Sequence, residues 1–142
     1  EKTEYPKLLA TLDLGLESRM SAKVGLLSGG QRQALTLLMA TLTNPKLLLL
    51  DEHTAALDPK TAKKVLDLTE QIVSERKLTT LMITHNMNDA IRLGNRLIMM
   101  HEGNVIYDVQ GEEKKRLTVP DLLQKFEEVS GGELANDRML LG

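Results

Sequence analysis

From residue 28 onward, apolar positions recur at spacings that switch between helical and extended. Ser28-Gly29-Gly30-Gln31 is followed by Ala34, Leu35, Leu37, Leu38, Met39, Ala40 and Leu42. That pattern predicts a helix capped at Ser28 and buried around most of its circumference, ended by Asn44-Pro45. Four leucines, 47–50, then run into Asp51-Glu52. So short an apolar run after a proline turn predicts a parallel central strand, apolar on both faces. Asp58-Pro59 reads as a cap with proline at the first helical position. Beyond it Ala62, Val65, Leu66, Thr69, Ile72 and Val73 form one face, while Lys60, Lys63, Lys64, Asp67, Glu70 and Glu75 lie largely on the other. Residues 78–83 predict the next strand, ending in Thr84-His85-Asn86. A short helix through Met87, Ala90 and Ile91 stops at Gly94. Residues 96–100 and 105–109 flank His101-Glu102-Gly103-Asn104 as a hairpin. Thr118 with Asp121 resembles a capping box before Leu122, Leu123 and Phe126. Before residue 27 the pattern, with Leu8, Leu9, Leu12, Leu14 and Leu16, predicts only short helices and turns, and the tail from Gly131 is expected to be mobile. Strands alternating with helices argue an α/β fold with parallel strands.

Composition narrows the class. The 142 residues carry 42 % hydrophobic and 27 % charged side chains, a globular balance. Aromatics are only Tyr5, Tyr107 and Phe126, so aliphatic side chains must build the core. A formal charge of −2 lacks the basic bias of a general nucleic-acid binder, and no nucleic acid is expected as partner. Neither a signal peptide nor a membrane span, for which about 18 consecutive apolar residues are needed, is expected. With no cysteine, a disulfide scaffold and a cysteine-ligated metal are excluded, and a reducing compartment is suited.

Four features could carry chemistry. Ser28-Gly29-Gly30 offers backbone N–H groups at a helix N-terminus, a place suited to phosphate. Asp51 and Glu52 stand at the C-terminal end of a strand, where α/β sheets bind ligands. One carboxylate can help hold Mg²⁺, usually through retained waters, and the other can orient or deprotonate a water. His85, at the end of the next strand, can approach the same phosphate. Each also has a plainer reading: a loop and cap for Ser28-Gly29-Gly30, a solvated strand end for Asp51-Glu52, an N-cap for Asp58, a satisfied polar residue for His85. His53 and His101 have no partners at metal-ligand spacing and read as structural or exposed.

Together these features resemble a known family. Leu27-Ser28-Gly29-Gly30-Gln31-Arg32-Gln33, Leu47-Leu48-Leu49-Leu50-Asp51-Glu52, Ala55-Ala56-Leu57-Asp58 and Thr84-His85-Asn86 resemble, in order and spacing, the signature motif, Walker B strand, D-loop and switch histidine of the ATP-binding cassette (ABC) ATPases. The resemblance implies a P-loop NTPase-like three-layer α/β fold, of which this is the C-terminal part of the ATPase domain: part of the helical subdomain plus half of the parallel core sheet. Residues 1–43 would be the helical and signature region, 44–110 the core with Walker B and the switch histidine, and 111–142 the C-terminal helix and tail. It implies that Ser28, Gly29, Gly30 and Gln31 contact the γ-phosphate of ATP bound by a second ATPase subunit in a head-to-tail dimer. Asp51 would help bind Mg²⁺, Glu52 would act as general base, Asp58 would communicate between the two sites, and His85 would contact the γ-phosphate. Such a subunit hydrolyses ATP to energise a membrane transporter, here a bacterial solute importer, and sits in the cytoplasm on the inner face of the membrane through permease subunits.

Parts of the family pattern are absent from these 142 residues. No Gly-x-x-x-x-Gly-Lys-Ser/Thr loop occurs, nor the glutamine loop, nor the aromatic that stacks on adenine. The start at Glu1 fits a fragment, expected to be inactive by itself. In the family the phosphate-loop strand lies between the switch-histidine strand and the one after it, here 78–83 and 96–100. Without it the sheet is expected to be gapped, leaving unpaired backbone groups. Two alternatives stay open: a soluble cassette ATPase acting on ribosomes or DNA, and a non-catalytic half-domain that supplies the signature motif in trans.

Overall fold

A computed structural model describes residues 5–10 and 13–131. Leu12 and the tail beyond Gly131, both read above, lie outside the described residues. The chain divides after Ile83 into two compact units.

The first unit opens with α1 (Tyr5–Ala10) and two 3₁₀ turns, Leu16–Arg19 and Val24–Leu26. These lead to α2 (Gly29–Thr41), β1 (Leu48–Asp51), α3 (Pro59–Arg76) and β2 (Thr80–Ile83). Strands β1 and β2 pair in parallel, with Leu48 opposite Thr80 and Asp51 opposite Ile83. Asp58 caps α3 as expected, its carboxylate accepting from the Thr61 N–H at 3.0 Å. The Arg76 guanidinium at the other end of α3 donates to the Thr41 carbonyl and so holds the end of α2. The core is aliphatic: Leu9, Leu16, Leu27, Ala34, Leu37, Leu38, Leu48, Leu50, Val65, Leu68 and Ile72.

Two expectations about burial fail here. Helix α2 buries one face rather than nearly its whole circumference: Gly30, Ala34, Leu37, Leu38 and Thr41 are buried, whereas Met39 is 62 % exposed. Strand β1 is likewise one-sided, with Leu48 and Leu50 in the core and Leu49 exposed. Leu81 and Ile83 of β2 are exposed as well. Among the described residues β1 has a single strand neighbour, β2, and within the first unit the core lies on one side of it.

The second unit contains α4 (Met87–Arg92), β3 (Arg96–His101), β4 (Asn104–Gln110), α5 (Gly111–Lys115) and α6 (Val119–Ser130). Gly94 follows α4 with φ +73°, the left-handed stop the sequence predicts. Strands β3 and β4 form the antiparallel hairpin. Glu102 (φ 49°) and Gly103 (φ 76°) both take the left-handed conformation that a tight two-residue hairpin turn requires. The Arg96 guanidinium pairs with both carboxylate oxygens of Asp108 across the strands. Thr118 and Asp121 form a reciprocal capping box at α6. Leu97, Val109 and Leu122 are the buried centre, with Met87, Ile91, Tyr107 and Leu117 packed around them. His101 is structural, its ring edge-on to Phe126 with centroids 4.8 Å apart. Helix α5 has no apolar period that would announce it in the sequence. Among the described residues, β1–β2 and β3–β4 form two separate ladders.

Candidate functional site

The candidate site begins at the N-terminus of α2, where four N–H groups lack helical partners. Ser28 is extended (φ −64°, ψ 162°) and its Oγ accepts the Gln31 N–H at 3.2 Å. In return the Gln31 Oε1 accepts the Ser28 N–H at 3.0 Å. This capping box engages the Ser28 oxygen as acceptor and leaves its O–H to donate. Gln31 reaches further, its Nε2 donating to the Leu14 carbonyl at 2.7 Å. The segment before the helix is therefore buckled to the first turn.

The two glycines differ. A Cβ on Gly29 would meet only Leu57 Cδ2, at 3.6 Å, an ordinary contact. A Cβ on Gly30 would collide with the Thr61 methyl group. Gly30 is thus required by the close approach of α2 to the first turn of α3. Asp58 belongs to the same neighbourhood, because the Thr61 that faces Gly30 also donates to its carboxylate. Hydrogen bonding from Thr61 holds the Asp58 carboxyl below the usual aspartate range, so the cap is anionic at neutral pH.

Asp51 ends β1 on the exposed face, in line with Leu49. Glu52 follows in the left-handed region (φ 47°), and its N–H donates to the Ile83 carbonyl at 2.8 Å. That bond extends the β1–β2 ladder by one step and turns the chain out of the strand. Two tight turns follow, Ala55 N–H to Glu52 O and Leu57 N–H to Thr54 O, each at 3.1 Å. They carry the chain to Asp58. Both carboxylates are exposed. A single exposed carboxylate such as Asp51 fits a Mg²⁺ that takes few protein oxygens and leaves other positions to phosphate and water.

His53 is a brace. Its Nε2 lies 3.0 Å from Thr69 Oγ1, and that hydroxyl already donates to the Val65 carbonyl at 2.7 Å. The imidazole is therefore the donor, fixing the loop after Glu52 to the buried side of α3. His85 is exposed, two residues after the Ile83 that pairs with Asp51, and begins the second unit. Thr84 Oγ1 accepts the Asn86 N–H at 3.0 Å and Asn86 Oδ1 accepts the Asp89 N–H at 3.2 Å, so His85 stands in a braced turn before α4.

The structure thus brings Ser28, Gly29, Gly30, Gln31 and Asp58 together around Leu57 and Thr61, and sets Asp51 and Glu52 at the strand end that leads into the same loop. Thr61 and the Leu14 carbonyl are the members sequence reasoning missed. Thr61 had a signal, its place three residues after a capping aspartate; a backbone carbonyl has none.

Comparison with known proteins follows the same lines. A family profile described as "ABC transporter" matches residues 1–55. The tyrosine transport ATP-binding protein of Clostridioides difficile (strain R20291) is 55 % identical over 120 residues, covering 84 % of this chain and 48 % of that protein. The thiamine import ATP-binding protein ThiQ of Yersinia pestis is 41 % identical over 95 residues, covering 67 % of this chain and 40 % of that protein. Among solved structures, the ADP conformation of an ATP-binding cassette of an ABC transporter superposes with TM-score 0.64 at 28 % identity, covering 84 % of this chain and 47 % of that one. A nucleotide-free cassette from an ABC transporter gives 0.63 at 27 %, with the same coverage. The chain spans about half the length, or less, of the curated relatives it matches. Among the described residues no helix is long and apolar enough to cross a membrane.

Proposed function

We propose, for a chain that belongs to the ABC transporter ATPase family, that its parent subunit hydrolyses ATP to ADP and phosphate to drive solute import through a membrane permease. The relatives named for tyrosine transport and thiamine import support a small-molecule importer. A cytoplasmic position on the inner face of the membrane, held by permease subunits, belongs to this reading, as does a head-to-tail dimer of ATPase subunits. The division at residues 43 and 110 into signature region, core and C-terminal helix is part of the same proposal.

The observation that carries it is the placement of Glu52. An exposed carboxylate directly after a strand, turned outward by a left-handed backbone with its own N–H fixed to Ile83, is a group of the right type and exposure to take a proton from water. Phosphoryl transfer needs mainly positioning and charge stabilisation. Glu52 takes the proton of the attacking water and orients it. Asp51, one residue earlier on the strand, would hold Mg²⁺, which supplies charge neutralisation at the phosphates. Ser28 donates its remaining O–H toward the γ-phosphate of the ATP on the opposing subunit, with the Gly29 and Gly30 N–H groups beside it and Gln31 holding the cap. Asp58, tied to the same Thr61 that abuts Gly30, links that contact to the loop following Glu52. His85 contacts the γ-phosphate from its braced turn.

In the full-length subunit Glu52→Gln keeps shape and removes the base. Turnover is expected to fall by the ~10²–10⁴ assigned to a general base, with nucleotide binding retained. Steady-state hydrolysis with a nucleotide-binding titration measures both, and wild-type turnover in the variant would overturn the assignment.

A further inference from the structure

Lys114 is the one buried charged side chain among the described residues, 3 % exposed. It sits in α5, between the exposed Glu113 and Lys115. Its Nζ donates to the Ile91 carbonyl at 2.6 Å and to the Leu93 carbonyl at 2.9 Å. No carboxylate pairs with it among the described residues, and burial pushes its ammonium below the usual lysine range. A charge withdrawn from water onto two carbonyls is an expensive arrangement that packing alone does not call for.

The two carbonyls identify its task. Ile91 is in the last turn of α4 and Leu93 is its C-cap, so both lack helical donors. Helix α4 has six residues, too few to persist without tertiary support. Its start is braced by Thr84 and Asn86; its end is held by Lys114. Helix α5 is itself anchored beside that end, with the Gly111 N–H directed at the Asn95 carbonyl at 3.4 Å. Lys114 therefore clamps the far end of the short helix that begins directly after Thr84-His85-Asn86.

We propose that Lys114 is a positioning residue for His85: by gripping the terminal carbonyls of α4 it fixes the helix from which the His85 turn projects. The effect on hydrolysis rests on the role given to His85 above; the grip on α4 does not. The test compares full-length subunits carrying Lys114→Met, which keeps the stem and removes the donors, and Lys114→Arg, which keeps charge and donors. Hydrogen–deuterium exchange is followed in peptides spanning 84–93, with the β3–β4 hairpin as internal reference, alongside kcat and KM for ATP.

The expected result for Lys114→Met is exchange about tenfold faster in 84–93 with the hairpin unchanged. kcat is expected to fall about tenfold with KM within about twofold, because a misplaced group slows the reaction without removing the binding site. Lys114→Arg is expected to recover part of both. Unchanged exchange in 84–93, or an equal rise across the hairpin, would overturn the grip. Loosened exchange with wild-type kcat would overturn the positioning role. A His85→Ala subunit run in parallel separates the two proposals. If it hydrolyses ATP normally, the reading of His85 fails, while the exchange comparison still decides what Lys114 holds.

Discussion

In the first unit β1 and β2 run parallel with the whole of α3 between them, whereas β3 and β4 in the second are joined through Glu102 and Gly103 alone. The hairpin can register locally, closed by its turn and by the Arg96–Asp108 pair on its exposed side. The parallel pair cannot form until α3 has crossed back over it, so it depends on the aliphatic core between β1, α2 and α3. Their exposed faces differ in the same sense. Leu49, Leu81 and Ile83 share theirs with only Asp51, while Ile98 and Met100 lie beside an ion pair. The carboxylates proposed for catalysis are thus mounted on the part of the molecule whose order is most collective, and the locally closed part carries the histidine turn and Lys114.

The largest effects should come from the two cores. Leu38→Ala in the first unit and Leu122→Ala in the second each remove a nearly fully buried side chain, and each should destabilise by about 2–5 kcal/mol in chemical denaturation. With site-resolved exchange, Leu38→Ala should loosen β1–β2 and leave the hairpin comparatively protected. If the hairpin opened first, the contrast between collective and local closure would be wrong.

Gly30→Ala sharpens the first unit's side of the contrast. Its new methyl must displace Thr61, an overpacking that should destabilise by about 1–3 kcal/mol. Thr61→Ser, which removes the opposing methyl and keeps the hydroxyl, should restore most of it in the double variant. Gly29→Ala, whose methyl would make only an ordinary contact with Leu57, should change stability far less.

Ser28 and Thr118 provide a matched pair, since both are capping-box residues, one in each unit. Replacing either by alanine should lower stability by about 1 kcal/mol. Only Ser28→Ala should also reduce ATP turnover in the full-length subunit. Equal turnover in the two variants would leave Ser28 with its cap alone.

The smallest effect is acid sensitivity, which should fall on both units alike. Asp13 and Asp58 in the first unit are held below the usual range, by Lys64 and by Thr61. Asp108 and Asp121 in the second are held there by Arg96 and by Thr118. A depressed carboxyl stabilises the fold above its unfolded pKa and loses that contribution as pH falls through its folded one. Stability should therefore be level in this respect at neutral pH and decline below about pH 4. Asp58→Asn and Asp121→Asn should each flatten that decline when unfolding is followed against pH.

What could be read from the sequence divides along the range of the interactions concerned. The caps at Ser28, Asp58 and Thr118, the stop at Gly94 and the Glu102-Gly103 turn are contacts within a few residues, and the pattern shows them directly. The order of the four motifs was equally legible. The open sides of Leu49 and Met39 were not, because apolarity records what a side chain prefers and not whether a neighbour is present to cover it. Gly30 against Thr61 and Gln31 against the Leu14 carbonyl are long-range fits that no local spacing announces. Helix α5 escaped because its one buried residue is a lysine, which any pattern of hydrophobicity counts as exposed.

Glu52 occupies a backbone conformation that costs an L-residue with a full side chain roughly 1–2 kcal/mol and that glycine adopts freely. Mutation at this position therefore has a built-in slope. If the proposed hydrolysis were no longer under selection, substitutions to glycine or asparagine would be favoured by folding itself, and drift would erase the carboxylate sooner than it would erase Leu48 or Leu50 beside it. On the role proposed for it, the glutamate at residue 52 stands against the preference of its own backbone.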